Sequence, residues 1–376
     1  MFSATDHEWM SLALQQAELG IYTTSPNPRV GCVIVKDNQI IGQGAHLKVG
    51  EAHAEVMALR DAQSKYPEKI QGATAYVTLE PCSHFGRTPP CADALINAGI
   101  QRVVAAMQDP NPQVAGNGLA RLSAAGIRVE HGLMEAQARA LNTGFISRML
   151  SNKPFVRLKI AASLDGRTAL ENGESKWITN EWITNEYARA DVHHWRARSC
   201  AILTGIGTVL ADNPHVNVRN VNTSRQPLRV VVDSALKTPI NANILKDGET
   251  LIAYANASAT KIASLEQAGA SLIHLPNTDG KVCLASLMKV LAARGINELM
   301  VEAGQKLNGA LIAADCVDEL LLYYAPVLLG SDAQGMLTIP TLASMQDRIQ
   351  LNILDIRQFG SDIRIRANIK SPPTQK

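Results

Sequence analysis

Glu80-Pro81-Cys82-Ser83-His84-Phe85-Gly86-Arg87-Thr88-Pro89-Pro90-Cys91, read together with His53-Ala54-Glu55 upstream, decides the N-terminal half of this 376-residue chain. One histidine and two cysteines offer three soft or borderline ligands and leave the fourth position of a tetrahedral zinc ion open for water, the arrangement of a hydrolytic site. A structural zinc site is usually closed by four protein ligands, and His84 is the one further candidate to exclude. Any of these residues alone has an ordinary reading: a surface histidine on a helix, or a cysteine buried as a small apolar group. The four together, with a carboxylate at Glu55 able to carry protons to and from a reacting group, read as His53, Cys82 and Cys91 holding zinc and Glu55 acting as general acid and base.

Working outward, apolar runs of strand length alternate with helical patterns. A helix is expected from Thr5 to Leu19 with Asp6 as its cap. Strands follow at Val30 to Val35 and Ile40 to Gly44, joined by a hairpin turn at Lys36-Asp37-Asn38-Gln39. A helix opened by His53 runs from about Ala52 to Ala62, and residues two apart on its first turn can both reach a metal just beyond its end. Strands at Ala75 to Leu79, Arg102 to Ala106 and Ile127 to Glu130 then alternate with helices at Ala92 to Ala98 and Gly118 to Ala125. This is an α/β layer domain.

A second series opens at Phe155-Val156-Arg157-Leu158-Lys159-Ile160-Ala161, behind the break Asn152-Lys153-Pro154. Strands at Cys200 to Thr204, Leu228 to Asp233, Thr250 to Tyr254, Glu298 to Glu302 and Glu319 to Ala325 alternate with helices. The expected organisation is therefore an α/β domain over 1–148, a second over 149–370, and a frayed tail over 371–376.

Lysine plus arginine (36) nearly balances aspartate plus glutamate (34), and aromatic residues are only 4%, so a basic, aromatic-lined channel for nucleic acid is not expected. A small-molecule substrate is favoured. The segment from Met1 to Gly20 carries Asp6, Glu8 and Glu18 without an uninterrupted apolar run, so no signal peptide or membrane anchor is expected and the cytoplasm is the default compartment. Six dispersed cysteines fit reduced thiols there.

The separation of Cys82 from Cys91 is longer than the C-x-x-C of most nucleobase deaminases. The stretch from Glu80 to Cys91 closely resembles the signature of the deaminase domain in the bifunctional pyrimidine deaminase/reductases of riboflavin biosynthesis. Pro26-Asn27-Pro28-Arg29-Val30-Gly31, the Gly42 to His46 segment and Asp109-Pro110-Asn111-Pro112 are similar to that family's substrate loops. The resemblance implies a cytidine-deaminase-like α/β/α domain that removes the 2-amino group of 2,5-diamino-6-ribosylamino-4(3H)-pyrimidinone 5′-phosphate. Asn27, His46, Arg87, Asp109 and Asn111 would contact the substrate, although Asn27, Asp109 and Asn111 taken singly also read as turn residues beside prolines.

In the second half no G-x-G-x-x-G follows a strand, so a Rossmann domain is not supported. Val301-Glu302-Ala303-Gly304-Gln305-Lys306-Leu307-Asn308-Gly309-Ala310 leads from a strand through glycines into a helix, where backbone N–H groups and the dipole could hold a phosphate. Lys159 to Arg167, Leu203-Thr204-Gly205, Asp212-Asn213-Pro214, the Glu302 loop and Leu328-Leu329-Gly330 resemble the reductase domain of the same family. That domain is dihydrofolate-reductase-like and uses NADPH, which implies reduction of the ribosyl group to ribityl. Ala161, Trp177, Thr208, Asp212, Ser234 and the Gly304 to Ala310 loop (Gly304, Gln305, Lys306, Leu307, Asn308, Gly309, Ala310) would bind the cofactor. Lys159, Ser175, Arg196, Val216, Arg219 and Glu302 would hold the substrate, with Arg196 and Arg219 suited to its phosphate. The resemblance also implies a homo-oligomer.

Trp177-Ile178-Thr179-Asn180-Glu181 is repeated at once as Trp182-Ile183-Thr184-Asn185-Glu186. The family has one tryptophan here beside the cofactor. Counting from Gly173-Glu174-Ser175 selects Trp177 and counting back from Arg196 selects Trp182; a bulge after Trp177 is the preferred reading. Two other classes stand beside the enzyme: a non-catalytic zinc and nucleotide sensor, and a nucleic-acid base deaminase.

Overall fold

The computed structural model describes residues 2–84, 89–112, 114–175 and 184–370. The chain divides into two compact units, Met1–Asn152 and Lys153–Lys376. The expected junction at residue 148 falls inside a helix, which continues to Ser151 and is ended by Asn152 in the left-handed conformation.

The first unit runs α1 (Ala4–Glu18), β1 (Gly31–Lys36), β2 (Gln39–Ala45), α2 (Ala54–Lys65), β3 (Thr74–Val77), α3 (Cys91–Asn97), β4 (Arg102–Ala105), α4 (Asn117–Ala124), β5 (Arg128–His131), α5 (Glu135–Leu141) and α6 (Thr143–Ser151). Its five-stranded sheet has the order β2-β1-β3-β4-β5. β1 is antiparallel to both neighbours, and β3, β4 and β5 are parallel. The β1–β2 hairpin turns through Asp37 and Asn38, both at positive φ, as a tight two-residue turn requires. Ser3, not Asp6, is the N-cap of α1; Asp6 closes the capping box and also accepts from Tyr76 and Arg102.

Helix α2 lies on β2 so closely that a Cβ at Gly42 or Gly44 would meet the Ala58 backbone at 2.3 or 2.4 Å. Those two glycines set the height of α2, and so of His53 and Glu55 at its start. On the paired strand Gly31 lies opposite Ala45, and a Cβ there would strike α1. Alternation of side chains therefore places α1 and α2 on opposite faces, giving three layers.

The second unit runs β6 (Phe155–Ser163), β7 (Arg167–Ala169), α7 (Glu186–Arg198), β8 (Ala201–Gly205), α8 (Ile206–Asp212), β9 (Leu228–Val232), β10 (Thr250–Tyr254), α9 (Ala259–Gln267), β11 (Ala270–His274), α10 (Leu284–Ala293), β12 (Glu298–Val301), α11 (Gln305–Ala313), β13 (Glu319–Ala325), β14 (Gln334–Gly335), β15 (Leu351–Phe359) and β16 (Asp362–Ile369). The nine-stranded sheet has the order β11-β10-β9-β8-β12-β6-β13-β16-β15, parallel from β11 through β13 and then antiparallel at β16 and β15. One core packs Leu203, Val230, Leu251 and Leu299, and another packs Ile202, Val231, Ile252 and Met300. Adjacent residues of one strand enter different cores, so the continuous apolar runs reflect a sheet covered on both faces.

Candidate metal centre and reductase site

Backbone geometry brings the three expected ligands together. His53 is the N-cap residue of α2, Cys91 is the first residue of α3, and Cys82 lies in the loop after β3. Their ligand atoms all lie within 4.8 Å of one another. His53 Nδ1 is 3.3 Å from Cys91 Sγ and 3.6 Å from Cys82 Sγ. Tetrahedral zinc with its ordinary bond lengths would separate such N and S atoms by about 3.5 Å, so the donor set fits this ion. Exposed His84 lies outside the cluster, and no fourth ligand joins it among the described residues.

Hydrogen bonding from Cys91, helped by His53, brings the Cys82 thiol down, and the same contact together with burial drives Cys91 upward. Negative charge already gathered at Cys82 suits a divalent cation. Glu55, on the first turn of α2, is 3% exposed. Burial, then the neighbouring Cys82 thiolate, pushes its carboxyl up to about 7. Such a group takes and returns a proton near neutrality.

Asn27 and His46 meet beside this cluster, Asn27 Nδ2 lying 3.1 Å from His46 Nε2, while His46 Nδ1 is 3.2 Å from the Ala52 carbonyl. A carbonyl can only accept, so Nδ1 carries the proton and Nε2 accepts from Asn27. Burial lowers the His46 pKa and keeps the ring neutral. The His46 and His53 rings stand edge to face at 5.2 Å. Asp109 accepts from the Asn111 N–H at 2.8 Å, so these two residues form the turn their prolines suggest while remaining beside the Cys82 loop. Arg87 lies outside the described residues.

Sequence reasoning gave Glu80 no role. Its buried carboxylate accepts backbone N–H bonds from both the Asp109 loop and the start of α4. Gly116 at the N-cap has no side chain to cap α4, and that gap is the one signal pointing to a remote cap.

In the second unit the expected residues gather at the carboxyl ends of parallel strands: Lys159 and Ala161 on β6, Thr208 on α8 after β8, Ser234 after β9, and Glu302 after β12. Ligands of open α/β sheets bind at such ends. Glu302 accepts from Arg196 Nε at 2.6 Å and Nη2 at 2.9 Å, with Lys159 Nζ at 4.0 Å. Despite burial, these cations hold the Glu302 carboxyl down at about 2, and burial lowers Lys159. Arg196 also donates to the Asn217 carbonyl. Its charge is thus met by Glu302.

Val216, between Asn213 and Arg219, is buried at φ 49, a strained conformation for a β-branched residue. Three residues on, the Arg219 N–H donates at 3.1 Å to Nδ1 of His193, a residue sequence reasoning missed. Burial first, then Arg196 and Arg219, holds His193 down at about 4, so it is neutral and its Nε2 carries the proton.

The stretch Gly304 to Ala310 is not a loop. Gly304 is the N-cap of α11 and Gln305 onward is helix. Asn308 donates to the Met336 carbonyl, and a Cβ on Gly309 would meet the Thr338 carbonyl oxygen at 1.9 Å, so both face the 336–338 segment. Among the described residues no side chain caps α11, so the N–H groups of Gln305, Lys306 and Leu307 could hold an anion such as a diphosphate. Ser234 Oγ accepts the Val282 N–H, and Asp212 is exposed at the end of α8. Ser175 is half-buried; Trp177 and Trp182 lie outside the described residues.

A family model described as the RibD C-terminal domain matches residues 154–365, and one described as the cytidine and deoxycytidylate deaminase zinc-binding region matches residues 3–107. The riboflavin biosynthesis protein RibD of Escherichia coli K12 is 49% identical over 371 residues, covering 95% of this chain and 98% of that protein. The chain belongs to the RibD family. It is a bifunctional deaminase and reductase of riboflavin biosynthesis. RibD of Haemophilus influenzae is 45% identical, with 97% of each chain covered. Among solved structures, RibD of Acinetobacter baumannii is similar with a TM-score of 0.88 at 43% identity, covering 98% of this chain and 99% of that one. A diaminohydroxyphosphoribosylaminopyrimidine deaminase/5-amino-6-(5-phosphoribosylamino)uracil reductase of Thermotoga maritima gives a TM-score of 0.84 at 31% identity, covering 97% and 99%. The RibD fold thus extends across both units.

Proposed function

We propose that the first unit removes the 2-amino group of 2,5-diamino-6-ribosylamino-4(3H)-pyrimidinone 5′-phosphate and the second reduces the ribosyl group of the resulting uracil to ribityl. The observation that carries this reading is the cluster of His53, Cys82 and Cys91 with Glu55 buried beside it.

His53, Cys82 and Cys91 would hold zinc. When bound, it supplies the Lewis acidity that makes water nucleophilic near neutral pH. Glu55 takes the proton that water gives up and returns it to the departing amine, a shuttle for which a carboxyl near neutrality is suited. Neutral His46, with Asn27 fixing its tautomer, Asp109 and Asn111 orient the heterocycle, and Arg87 takes the phosphate.

The N-terminus of α11, with Ala161, Thr208, Asp212, Ser234 and Trp177, would hold NADPH. When bound, it supplies the hydride equivalents for C1′. As the sugar ring opens, its oxygen takes a proton, and Lys159 is the half-buried cation that holds one, kept in place by Glu302. Ser175, Val216 and Arg196 position the ribotide, while Arg219, its backbone fixed by His193, faces the phosphate.

All six cysteines are unpaired, as a reducing cytoplasm would leave them, and no described helix is long and apolar enough to cross a membrane. The working assembly is a homo-oligomer on this reading. The test is an assay of the zinc-loaded chain with the diaminopyrimidinone ribotide, following ammonia release and NADPH oxidation separately. Both should occur; neither occurring with zinc bound would overturn the substrate.

A further inference from the structure

Two independent devices clamp the start of α4 to the peptide that leads into Cys82. The first is a carboxylate. Glu80 is 5% exposed and accepts backbone N–H bonds from Asp109 at 3.0 Å, Gly116 at 2.9 Å, Gly118 at 2.8 Å and Leu119 at 3.4 Å. The second is a close approach. A Cβ on Gly118 would lie 1.9 Å from the Pro81 carbonyl oxygen, so only glycine lets the helix come this near.

The contacts also say what Glu80 does not do. Four N–H groups fill the acceptor sites of one carboxylate, leaving none for substrate or for a migrating proton. Each N–H is a backbone group, and those from Gly116, Gly118 and Leu119 belong to the positive end of a helix without a cap of its own. The remaining bond, from Asp109, reaches the turn that carries Asp109 and Asn111. One side chain therefore joins three pieces: the approach to Cys82, the Asp109 turn and α4.

We propose that Glu80, supported by Gly118, is a positioning residue of the deaminase, fixing the substrate-facing Asp109 turn to the metal-binding loop so that the two behave as one body. This rests on the deaminase reading given above. A carboxylate that merely capped a helix would affect stability alone; one that registers two loops of a site sets how well substrate is held, because small displacements of an orienting group are costly.

The experiment uses Glu80→Gln in the zinc-loaded full chain. The amide keeps the size but offers one accepting oxygen and turns two donors toward N–H groups that already point inward. Zinc content should stay at the wild-type level, and KM for ammonia release should rise about tenfold or more with kcat within about threefold. NADPH-dependent reduction of the deaminated ribotide should be unchanged. In an Asp109→Asn background the same substitution should add less than about twofold, since the group it positions is already lost. Gly118→Ala, which disturbs the junction without touching charge, should raise KM in the same direction. Wild-type KM in either variant, additive losses in the double variant, or zinc lost from Glu80→Gln would each overturn the proposal. A wild-type chain that releases no ammonia would overturn the deaminase reading itself, and this one with it; an active wild type with unchanged KM in Glu80→Gln overturns this proposal alone.

Discussion

Glu302 and Arg196 face each other across the carboxyl ends of the parallel strands, joined by two parallel N–H···O bonds of 2.6 and 2.9 Å. The fork-to-fork geometry fixes both side chains in orientation as well as charge. Lys159 stands at 4.0 Å on the same carboxylate, so the trio carries one net positive charge inside the site. On the function proposed above, that balance keeps the half-buried Lys159 available as a proton donor and draws the anionic end of a ribotide toward Arg219.

Glu302→Gln should therefore lower reduction by about 100-fold or more while leaving ammonia release unchanged. It should also change the response to acid. A carboxyl held at about 2 instead of its ordinary 4.5 favours the fold above 4.5, and that contribution is lost as pH falls through about 2. The shift corresponds to roughly 3 kcal/mol. Urea titrations of the full chain between about pH 5 and pH 2 should show a shallower loss of stability in the variant, which at neutral pH is already destabilised by about 3–5 kcal/mol because Arg196 and Lys159 keep their charge. An unchanged pH slope would remove Glu302 from this role.

Glu55→Gln should abolish the proton shuttle and keep the metal. The amide has the same shape and still accepts a hydrogen bond, so zinc content and NADPH oxidation should match wild type, while ammonia release falls by about 100- to 10,000-fold. Deamination persisting in this variant would show that another group moves the protons.

Cys91→Ser replaces a thiolate donor by a hydroxyl at the first residue of α3. Zinc affinity should fall by more than the about 10- to 100-fold typical of losing an outer partner, with ammonia release falling alongside. A chelator should silence ammonia release in the wild type, restored by added zinc, with NADPH oxidation of the deaminated ribotide untouched throughout. Zinc held equally well by the variant would point to a different ligand set.

The N-terminal site was legible because its chemistry is local to short motifs. His53, Glu55, Cys82 and Cys91 sit at element starts and loop ends, where spacing alone says which residues can meet. What spacing does not show is backbone chemistry supplied from afar, as with Glu80 reaching α4 and His193 reaching the Arg219 N–H. The β15–β16 hairpin escaped for another reason. Ile363-Arg364-Ile365-Arg366 alternates as a strand should, yet Arg364 is 3% exposed, paired with Asp191 and Asp355, while Ile363 is exposed. Buried ion pairs invert the pattern that marks a half-buried strand. For Gly304 to Ala310 the resemblance implied a binding loop, whereas Gly309 serves close packing inside a helix.

The repeated pentapeptide supports a last prediction. Asn185 caps α7, accepting from Ala188 N–H, and donates to the Phe359 carbonyl and Ser361. Removing Trp182 to Glu186 leaves the same sequence as removing Trp177 to Glu181, so an Asn-Glu pair still precedes Tyr187 and the cap is retained. The extra five residues cannot extend α7 without rotating its start by about 500°, which is about 140° out of phase. An insertion carried ahead of the cap would instead cost little in loop closure. The deletion should leave the melting temperature within about 2 °C, leave ammonia release unchanged, and alter NADPH oxidation through KM for the cofactor, because it changes the length of chain bearing Trp177. A fall in ammonia release on deletion would show instead that the two units are coupled.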